Sequence, residues 1–89
     1  MASNLLKGFS LNLSDAKPGQ LLQIISIKES EAESQMIRMG LGIGDLITCL
    51  TRIPSGPTVI QRGSVEVALG NELSESIGVQ LMSIKAEAS

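Results

Sequence analysis

Residues 45–69 read DLITCLTRIPSGPTVIQRGSVEVAL, and three short runs within this stretch alternate apolar and polar side chains. The runs are 45–53, 58–62 and 65–69. They are separated by Pro54-Ser55-Gly56-Pro57 and by Gly63. Alternation with a period of two indicates strands with one buried face, and Pro and Gly between such runs mark turns. The stretch therefore predicts three consecutive strands.

The more apolar phase of each predicted strand is expected to face the core. The residues that we expect to fill it include Ile25, Ile27, Ile47, Cys49, Val65, Val67 and Val79. Phe9 is the only aromatic residue, so this core depends on aliphatic side chains and methionines. Cys49 lies in the middle of a strand between apolar neighbours, which favours a buried and unreactive thiol.

Upstream of these strands, residues 30–41 predict a helix. Ser30 is expected to be the N-cap, and Glu33 three residues later completes a capping-box pattern. Gly40 is placed to end the helix in the left-handed conformation, with Leu41 beyond it contacting Met36. The apolar stripe of this helix is expected to consist of Ala32, Met36 and Met39.

The flanking segments complete a mainly β fold. Residues 20–28 predict a strand before the helix, and 71–76 predict a single helical turn capped by Asn71, followed by a strand over 77–81. The predicted organisation is a flexible arm at 1–10, one domain at 11–82 and a flexible tail at 83–89. About five short strands with one inserted α-helix favour a small closed or nearly closed barrel.

The composition excludes most catalytic and metal chemistry. The chain has 89 residues, one cysteine and no histidine. A Ser-His-Asp triad, a Cys-His pair and a Cys/His zinc site therefore cannot be built. We predict that the protein is not an enzyme, and we assign no catalytic, cofactor-binding or metal-binding residue and no cofactor. An inserted arginine finger from Arg38, Arg52 or Arg62 is the one catalytic contribution that the sequence allows.

Charge and hydropathy limit the classes of partner that we expect the protein to bind. The formal net charge is −2, and seven Lys and Arg are scattered along the chain. Nucleic-acid binding needs a basic face or aromatic stacking platforms, so we predict no nucleic-acid partner. No apolar run approaches the roughly 20 residues of a spanning helix, and the N-terminal residues lack a secretory signal pattern. We expect a cytoplasmic protein without direct membrane insertion, since a lone cysteine fits a reducing compartment.

Four sequence blocks carry a resemblance to a known family. They are Leu13-Ser14-Asp15-Ala16-Lys17-Pro18-Gly19; Met36-Ile37-Arg38-Met39-Gly40-Leu41 with Gly44; Pro54-Ser55-Gly56-Pro57 with a Val-Ile strand and Gly63; and Val67-Ala68-Leu69 with Ile77-Gly78-Val79. In their order and spacing, over about residues 11–81, these blocks resemble the FeoA (ferrous iron transport protein A) family.

The resemblance implies an SH3-like β-barrel. It also implies a small cytoplasmic accessory protein of bacterial ferrous iron uptake, acting on FeoB, the membrane transporter with a cytoplasmic GTPase domain. The same module occurs at the C-terminus of repressors of the diphtheria toxin repressor type. A metal-responsive or metal-binding regulatory domain is therefore the alternative function. The chain departs from the family at Gln35-Met36-Ile37-Arg38 and Gly70-Asn71-Glu72, where family members often carry more arginines.

A partner-binding surface is expected where apolar residues are hard to bury in so small a core. Apolar side chains beside turns, with an arginine near them, suit a contact surface. The residues that we predict for this surface are Arg38, Met39, Leu41, Arg52, Pro54 and Pro57. The competing interpretation is that Met39 and Leu41 close one end of the barrel as part of the core.

Overall fold

The computed structural model describes residues 10–84, and its main feature is one six-stranded antiparallel sheet in the order β1-β6-β2-β3-β4-β5. The strands are β1 (Ser10–Asn12), β2 (Gln20–Ile27), β3 (Leu46–Arg52), β4 (Thr58–Arg62), β5 (Val65–Leu69) and β6 (Ile77–Ile84). The connections contain a 3-10 turn (Leu13–Asp15), helix α1 (Ser30–Arg38) and helix α2 (Asn71–Glu75). The mainly β prediction is confirmed, with β1 as a strand that the sequence pattern did not reveal.

The sheet combines a local meander with pairing between distant parts of the chain. β3, β4 and β5 follow one another both in sequence and in the sheet. β6 lies between β1 and β2, so the C-terminal strand joins the N-terminal ones. Within residues 10–84, the hydrogen-bonded pairing leaves β1 and β5 as the two edges of the sheet.

The core is built from aliphatic side chains together with Met36 and Cys49. Its buried apolar members are Leu13, Ala16, Leu22, Ile24, Met36, Leu41, Ile47, Cys49, Ile60, Leu69, Ile77, Val79 and Leu81. The predicted inward positions Ile47, Cys49 and Val79 are confirmed, and Ile27 and Val67 are partly buried against this core. Removal of these apolar surfaces from water is the main stabilising contribution to such a fold.

A bulge in β2 changes which residues face the core. Ile24 pairs with Val79 and Ser26 pairs with Gly78, so Ile25 is the extra residue on β2. Ile25 is 39% exposed because it lies on the opposite face of β2 from the buried Leu22 and Ile24, and the prediction that it is a core residue is wrong. Gly78 is buried opposite the bulge, where an added Cβ would collide with the Ser26 hydroxyl. Glycine is therefore the residue that allows this close approach.

A second deviation concerns β5. Burial along this strand increases from Val65, which is 59% exposed, through Val67 to the buried Leu69. The prediction that Val65 fills the core is wrong, because β5 is an edge strand whose first residue lies beside the turn at Gly63. Alternation in the sequence identified the face of the strand but not how far along the strand the core extends.

The helix starts differ from the predicted caps. Glu29 is the N-cap of α1, with extended backbone and no capping hydrogen bond from its side chain, and its carbonyl accepts from Glu33 N at 2.9 Å. Ser30 is thus the first helical residue and not the cap, which also moves Glu33 out of the capping-box position. Asn71 is likewise the first residue of α2, after Gly70 as N-cap.

The predicted end of α1 is confirmed. Gly40 has a φ of +78°, and its N–H donates to the Ile37 carbonyl at 2.9 Å. Leu41 N donates to the Met36 carbonyl at 2.8 Å. These two bonds define a Schellman ending, which needs a residue that tolerates the left-handed conformation.

The predicted arm and tail lie mostly outside the described residues. Ser10 is part of β1, and the backbone of β6 continues to Ile84, so the sheet reaches slightly beyond the predicted domain limits at both ends. The domain boundaries remain predictions. Within the described part of the chain, no helix has the length and apolar character to cross a lipid bilayer.

Candidate interaction surface

The loop between α1 and β3, residues 39–45, is anchored into the body of the protein; we call it the helix-end loop. Leu41 is 3% exposed and belongs to the core. Gly44 N donates to the Ile24 carbonyl at 2.7 Å, and Ile24 N donates to the Asp45 carbonyl at 3.0 Å. These bonds extend the β2–β3 pairing into the loop. The expectation that Leu41 stays at the surface is therefore wrong, because the Schellman ending directs it into the core.

A side chain from β4 fastens the same loop. Arg62 Nη1 donates to the Gly40 carbonyl at 2.8 Å, and Arg62 Nε lies 3.9 Å from Asp45 Oδ2. The same Asp45 oxygen accepts from Gly42 N at 2.8 Å. Charge-assisted hydrogen bonds are stronger than neutral ones, so this cluster gives the loop a defined shape. At the loop surface, Ile43 is 63% exposed.

The turn between β3 and β4, residues 53–57, is the hairpin tip. Gly56 N donates to the Ile53 carbonyl at 2.7 Å, and Ile53 N donates to the Pro57 carbonyl at 3.1 Å. Ser55 has a φ of +59°, which is unusual for a residue other than glycine. Pro at the second and a left-handed residue at the third position correspond to a type II turn. Ile53, Pro54 and Pro57 are exposed.

The six predicted contact residues fall into two groups at opposite ends of β3. Arg38, Met39 and Leu41 precede its first residue, and Arg52, Pro54 and Pro57 lie at or beyond its last. A strand of this length separates its ends by roughly 20 Å at about 3.3 Å per residue. Arg38 is exposed, Met39 is partly buried, and Arg52 Nε donates to the Ala16 carbonyl at 3.0 Å. The structure does not bring the six residues into one patch.

A groove lies between α1 and α2, next to Arg38 and Met39 at the end of α1. We call it the inter-helix groove. Its volume is about 1050 Å³. Ala32, Met39, Ala68 and Leu73 supply its apolar lining. Lys28 and four glutamates, namely Glu29, Glu31, Glu72 and Glu75, supply its charged groups. A smaller depression continues from it along α1 and is lined by Glu31, Gln35, Arg38 and Met39.

The groups capable of chemistry are few in the described chain. Burial raises the pKa of the Cys49 thiol, and the Arg52 charge, which lowers it, does not offset this effect. The thiol is fully buried, as predicted, and is held in its protonated form. Over residues 10–84, no three Cys, Asp or Glu side chains lie close enough together to hold a metal ion.

The sequence that forms this fold matches a known protein family. The model of the FeoA domain matches residues 11–81, which contain every helix and strand from the 3-10 turn to α2 and most of β6. The chain belongs to the FeoA family. The family is linked to ferrous iron uptake. No curated protein sequence is significantly similar to this FeoA-domain chain.

Solved structures agree with this assignment. An iron uptake regulatory protein (FeoA) is 29% identical, with a TM-score of 0.76, and the match covers 83% of this chain and all of that one. A FeoA-like protein from Clostridium acetobutylicum is 18% identical, with a TM-score of 0.74 over 84% of this chain and 90% of that one. The predicted SH3-like fold is confirmed.

A transcriptional repressor and a zinc-bound protein contain the same fold. A manganese-dependent transcriptional repressor matches with 17% identity and a TM-score of 0.75, over 82% of this chain and 42% of its own. ScaR, solved with bound Zn²⁺, matches with 20% identity and a TM-score of 0.73, over 81% of this chain and 37% of its own. The match thus covers less than half of each of these two chains.

Sequence reasoning missed the arginine that contacts the helix-end loop. Arg62, and not Arg52, reaches Gly40, because antiparallel pairing of β3 with β4 places the end of β4 beside the start of β3. It also missed the groove, whose walls come from α1 and α2, about 40 residues apart in sequence. The available signal was a glutamate next to an apolar residue in each helix, at Glu31-Ala32 and at Glu72-Leu73.

Proposed function

We propose that this FeoA-family chain is a non-catalytic accessory protein of ferrous iron uptake that acts in the cytoplasm by binding the GTPase region of a FeoB transporter. The observation that carries the proposal is the family match, which spans residues 11–81 and thus nearly the whole described fold. Membership in that family supports FeoB as the partner.

The surface chemistry supports an interaction role. Ile37, Ile43 and Ile53 are large apolar residues that remain exposed although the core contains thirteen buried apolar side chains. Exposed apolar groups beside defined loops are typical of contact surfaces. Among the predicted contact residues, Arg38 and Met39 adjoin the inter-helix groove, so we assign the primary contact to the helix-end side. Arg52, Pro54 and Pro57 then form a separate, secondary candidate contact.

The test measures binding of this chain to the purified cytoplasmic region of FeoB. Biolayer interferometry is performed with FeoB free of nucleotide, with GDP and with a non-hydrolysable GTP analogue. We expect saturable binding whose affinity depends on the nucleotide, and a loss of affinity for Met39→Ser. Pro57→Ser is the matched variant on the hairpin tip, and we expect it to bind within about twofold of wild type.

The alternative function, a metal-responsive regulatory domain, is tested on the same preparation. Calorimetric titration with Fe(II) under anaerobic conditions measures stoichiometric metal binding. Absence of FeoB binding in all three nucleotide states, together with one-to-one Fe(II) binding, would overturn the proposal in favour of the alternative. FeoB binding without stoichiometric Fe(II) uptake supports an accessory protein that acts through contacts.

A further inference from the structure

The inter-helix groove concentrates the negative charge of the protein. Four of the nine Asp and Glu residues line it, against one of the seven Lys and Arg residues. The one cation, Lys28, donates through Nζ to Asn12 Oδ1 at 3.1 Å and makes no ion pair with the groove glutamates. The groove thus carries an excess of three negative charges on a protein whose formal net charge is −2.

None of these carboxylates is neutralised within the described residues. The ion pair found between residues 10 and 84 is Arg62–Asp45, which lies outside the groove. Glu31 and Glu72 occupy first helical turns, where the helix dipole favours them. Glu75 is the last residue of α2, where the dipole disfavours a negative charge, and its one polar contact is Asn71 Nδ2 at 3.3 Å. Stabilisation of α2 therefore does not explain why a glutamate is found at position 75.

The apolar lining gives the groove a second type of contact. Met39 and Leu73 pack against the core but are only partly buried, so each keeps apolar surface towards the groove. Methionine adapts to differently shaped partners because its side chain is unbranched and flexible. Partly exposed apolar groups surrounded by charged residues are the arrangement of an interface centre with a polar rim.

We propose that the inter-helix groove binds a basic amphipathic segment of a partner protein. Lys or Arg side chains of that segment pair with Glu29, Glu31, Glu72 and Glu75, while its apolar residues contact Met39 and Leu73. This inference rests on the proposed interaction function and extends it by naming the surface and the chemistry of the partner. The groove charge steers association and selects for basic partners, since electrostatic complementarity acts mainly on specificity and association rate.

The test compares charge reversal inside and outside the groove. The groove variant is Glu72→Lys/Glu75→Lys, and the matched control is Glu33→Lys/Glu66→Lys, which makes the same net-charge change at exposed positions that do not line the groove. All proteins are first compared by circular dichroism and thermal melting. Affinity for the cytoplasmic region of FeoB is then measured at about 50 and 300 mM salt.

We expect the groove variant to lose at least about tenfold in affinity at low salt and to lose most of the salt dependence. The control is expected to stay within about threefold of wild type. If the groove variant melts early, Glu72→Gln/Glu75→Gln replaces it, with a smaller loss expected. FeoB binding that is equally affected in groove and control variants would overturn the groove assignment while leaving the proposed function intact.

A second probe makes the groove testable without FeoB. A synthetic Leu/Lys amphipathic peptide is titrated into the protein labelled at Met and Leu methyl groups, with a Leu/Glu peptide of equal length as control. Saturable shifts at Met39 and Leu73 with the basic peptide alone support the groove even if FeoB does not bind, in which case the proposed partner is wrong. If the basic peptide leaves these methyl groups unperturbed while FeoB still binds, the groove assignment is overturned and the proposed function stands. If FeoB does not bind either, both proposals are overturned.

Discussion

The helix-end loop and the hairpin tip turn the chain at the two ends of β3, and they differ in how they are held. Both contain left-handed backbone, at Gly40 and at Ser55, and both expose an isoleucine, Ile43 and Ile53. The helix-end loop is bonded to β2 and to Arg62 of β4. Among residues 10–84, the hydrogen bonds found at the hairpin tip are the two backbone bonds within residues 53–57.

This difference shows what separates a structural turn from an accessible one. Leu41 is directed into the core by the Schellman ending, and its loop is bonded to elements distant in sequence, whereas Ile53 stays 57% exposed on a turn that closes on itself. Turns with few buried contacts belong to the least stable parts of a fold. A rigid loop presents a defined surface to a partner, while a locally closed tip tolerates substitution.

The largest difference in stability is expected when a glutamate replaces one apolar residue of each loop, Leu41 in the helix-end loop and Ile53 in the hairpin tip. We predict that Leu41→Glu unfolds the domain, because a buried unpaired carboxylate costs several kcal/mol and the total stability of a domain this size is roughly 4–13 kcal/mol. Ile53→Glu should change the free energy of unfolding by less than about 0.5 kcal/mol. Urea denaturation followed by circular dichroism measures both. A cooperative transition of Leu41→Glu near that of wild type would contradict the burial of Leu41.

The next effect concerns the left-handed residue of the anchored loop. Gly40→Ala should cost about 1–2 kcal/mol, because a Cβ destabilises a backbone with a φ of +78°. An alanine Cβ would be 3.7 Å from Arg62 Nη1, an ordinary contact, so the loss is conformational. Gly40→Asn is the control, since asparagine tolerates the left-handed region, and we expect it to retain about half of the lost stability. Equal midpoints for wild type and Gly40→Ala would show that the Schellman ending contributes little.

The strand order around β3 was predictable because alternation is a local property. Each run in residues 45–69 carries its own period of two, and Pro54 to Pro57 and Gly63 mark the turns directly. The bulge at Ile25 was not predictable, because one extra residue leaves composition and hydropathy unchanged and is fixed by the pairing with β6. The exposure of Val65 depends on where the edge of the sheet ends, which is again a property of the whole sheet.

The candidate site was predictable only in part, for the same reason. The helix pattern pointed to Arg38 and Met39; Met39 lines the groove and Arg38 lines the depression beside it, and their role in partner binding stays a prediction. Their separation from Pro54 and Pro57 followed from information already in the sequence, since the two turns flank the same strand. The contact from Arg62 to Gly40 could not be predicted from the sequence, because it spans 22 residues and depends on the β3–β4 register. The cap at Glu29 depends equally on how β2 ends.

A smaller loss of stability is expected when the side chains that hold the helix-end loop, Asp45 and Arg62, are replaced. Asp45→Ala is expected to cost about 1 kcal/mol through the lost bond from Gly42 N, and Arg62→Met about 0.5 kcal/mol through the lost bond to Gly40. The double variant should show a coupling energy of at most about 0.5 kcal/mol, since the two side chains are partly exposed and 3.9 Å apart. Arg52→Met/Asp45→Ala provides an uncoupled control. A coupling above about 1.5 kcal/mol would indicate a tighter ion pair than the structure contains.

The last prediction concerns the left-handed residue of the hairpin tip, where no substitution is expected to change stability by more than about 1 kcal/mol. Ser55→Asn is expected to raise the free energy of unfolding by about 0.5 kcal/mol, because asparagine accepts a φ near +59° more readily than serine. Ser55→Gly gains the same relief but loses part of it through the greater freedom of glycine in the unfolded chain, so its net effect should be near zero. Ser55→Val should lose about 1 kcal/mol, because a β-branched residue is strained there. Chemical denaturation midpoints of the three variants measure this order. Ser55 is exposed, and among residues 10–84 the hydrogen bonds found at the tip lie within the tip, so none of the three variants should alter FeoB binding. If binding is lost without a matching loss of stability, the hairpin tip is the primary contact and the helix-end side is not.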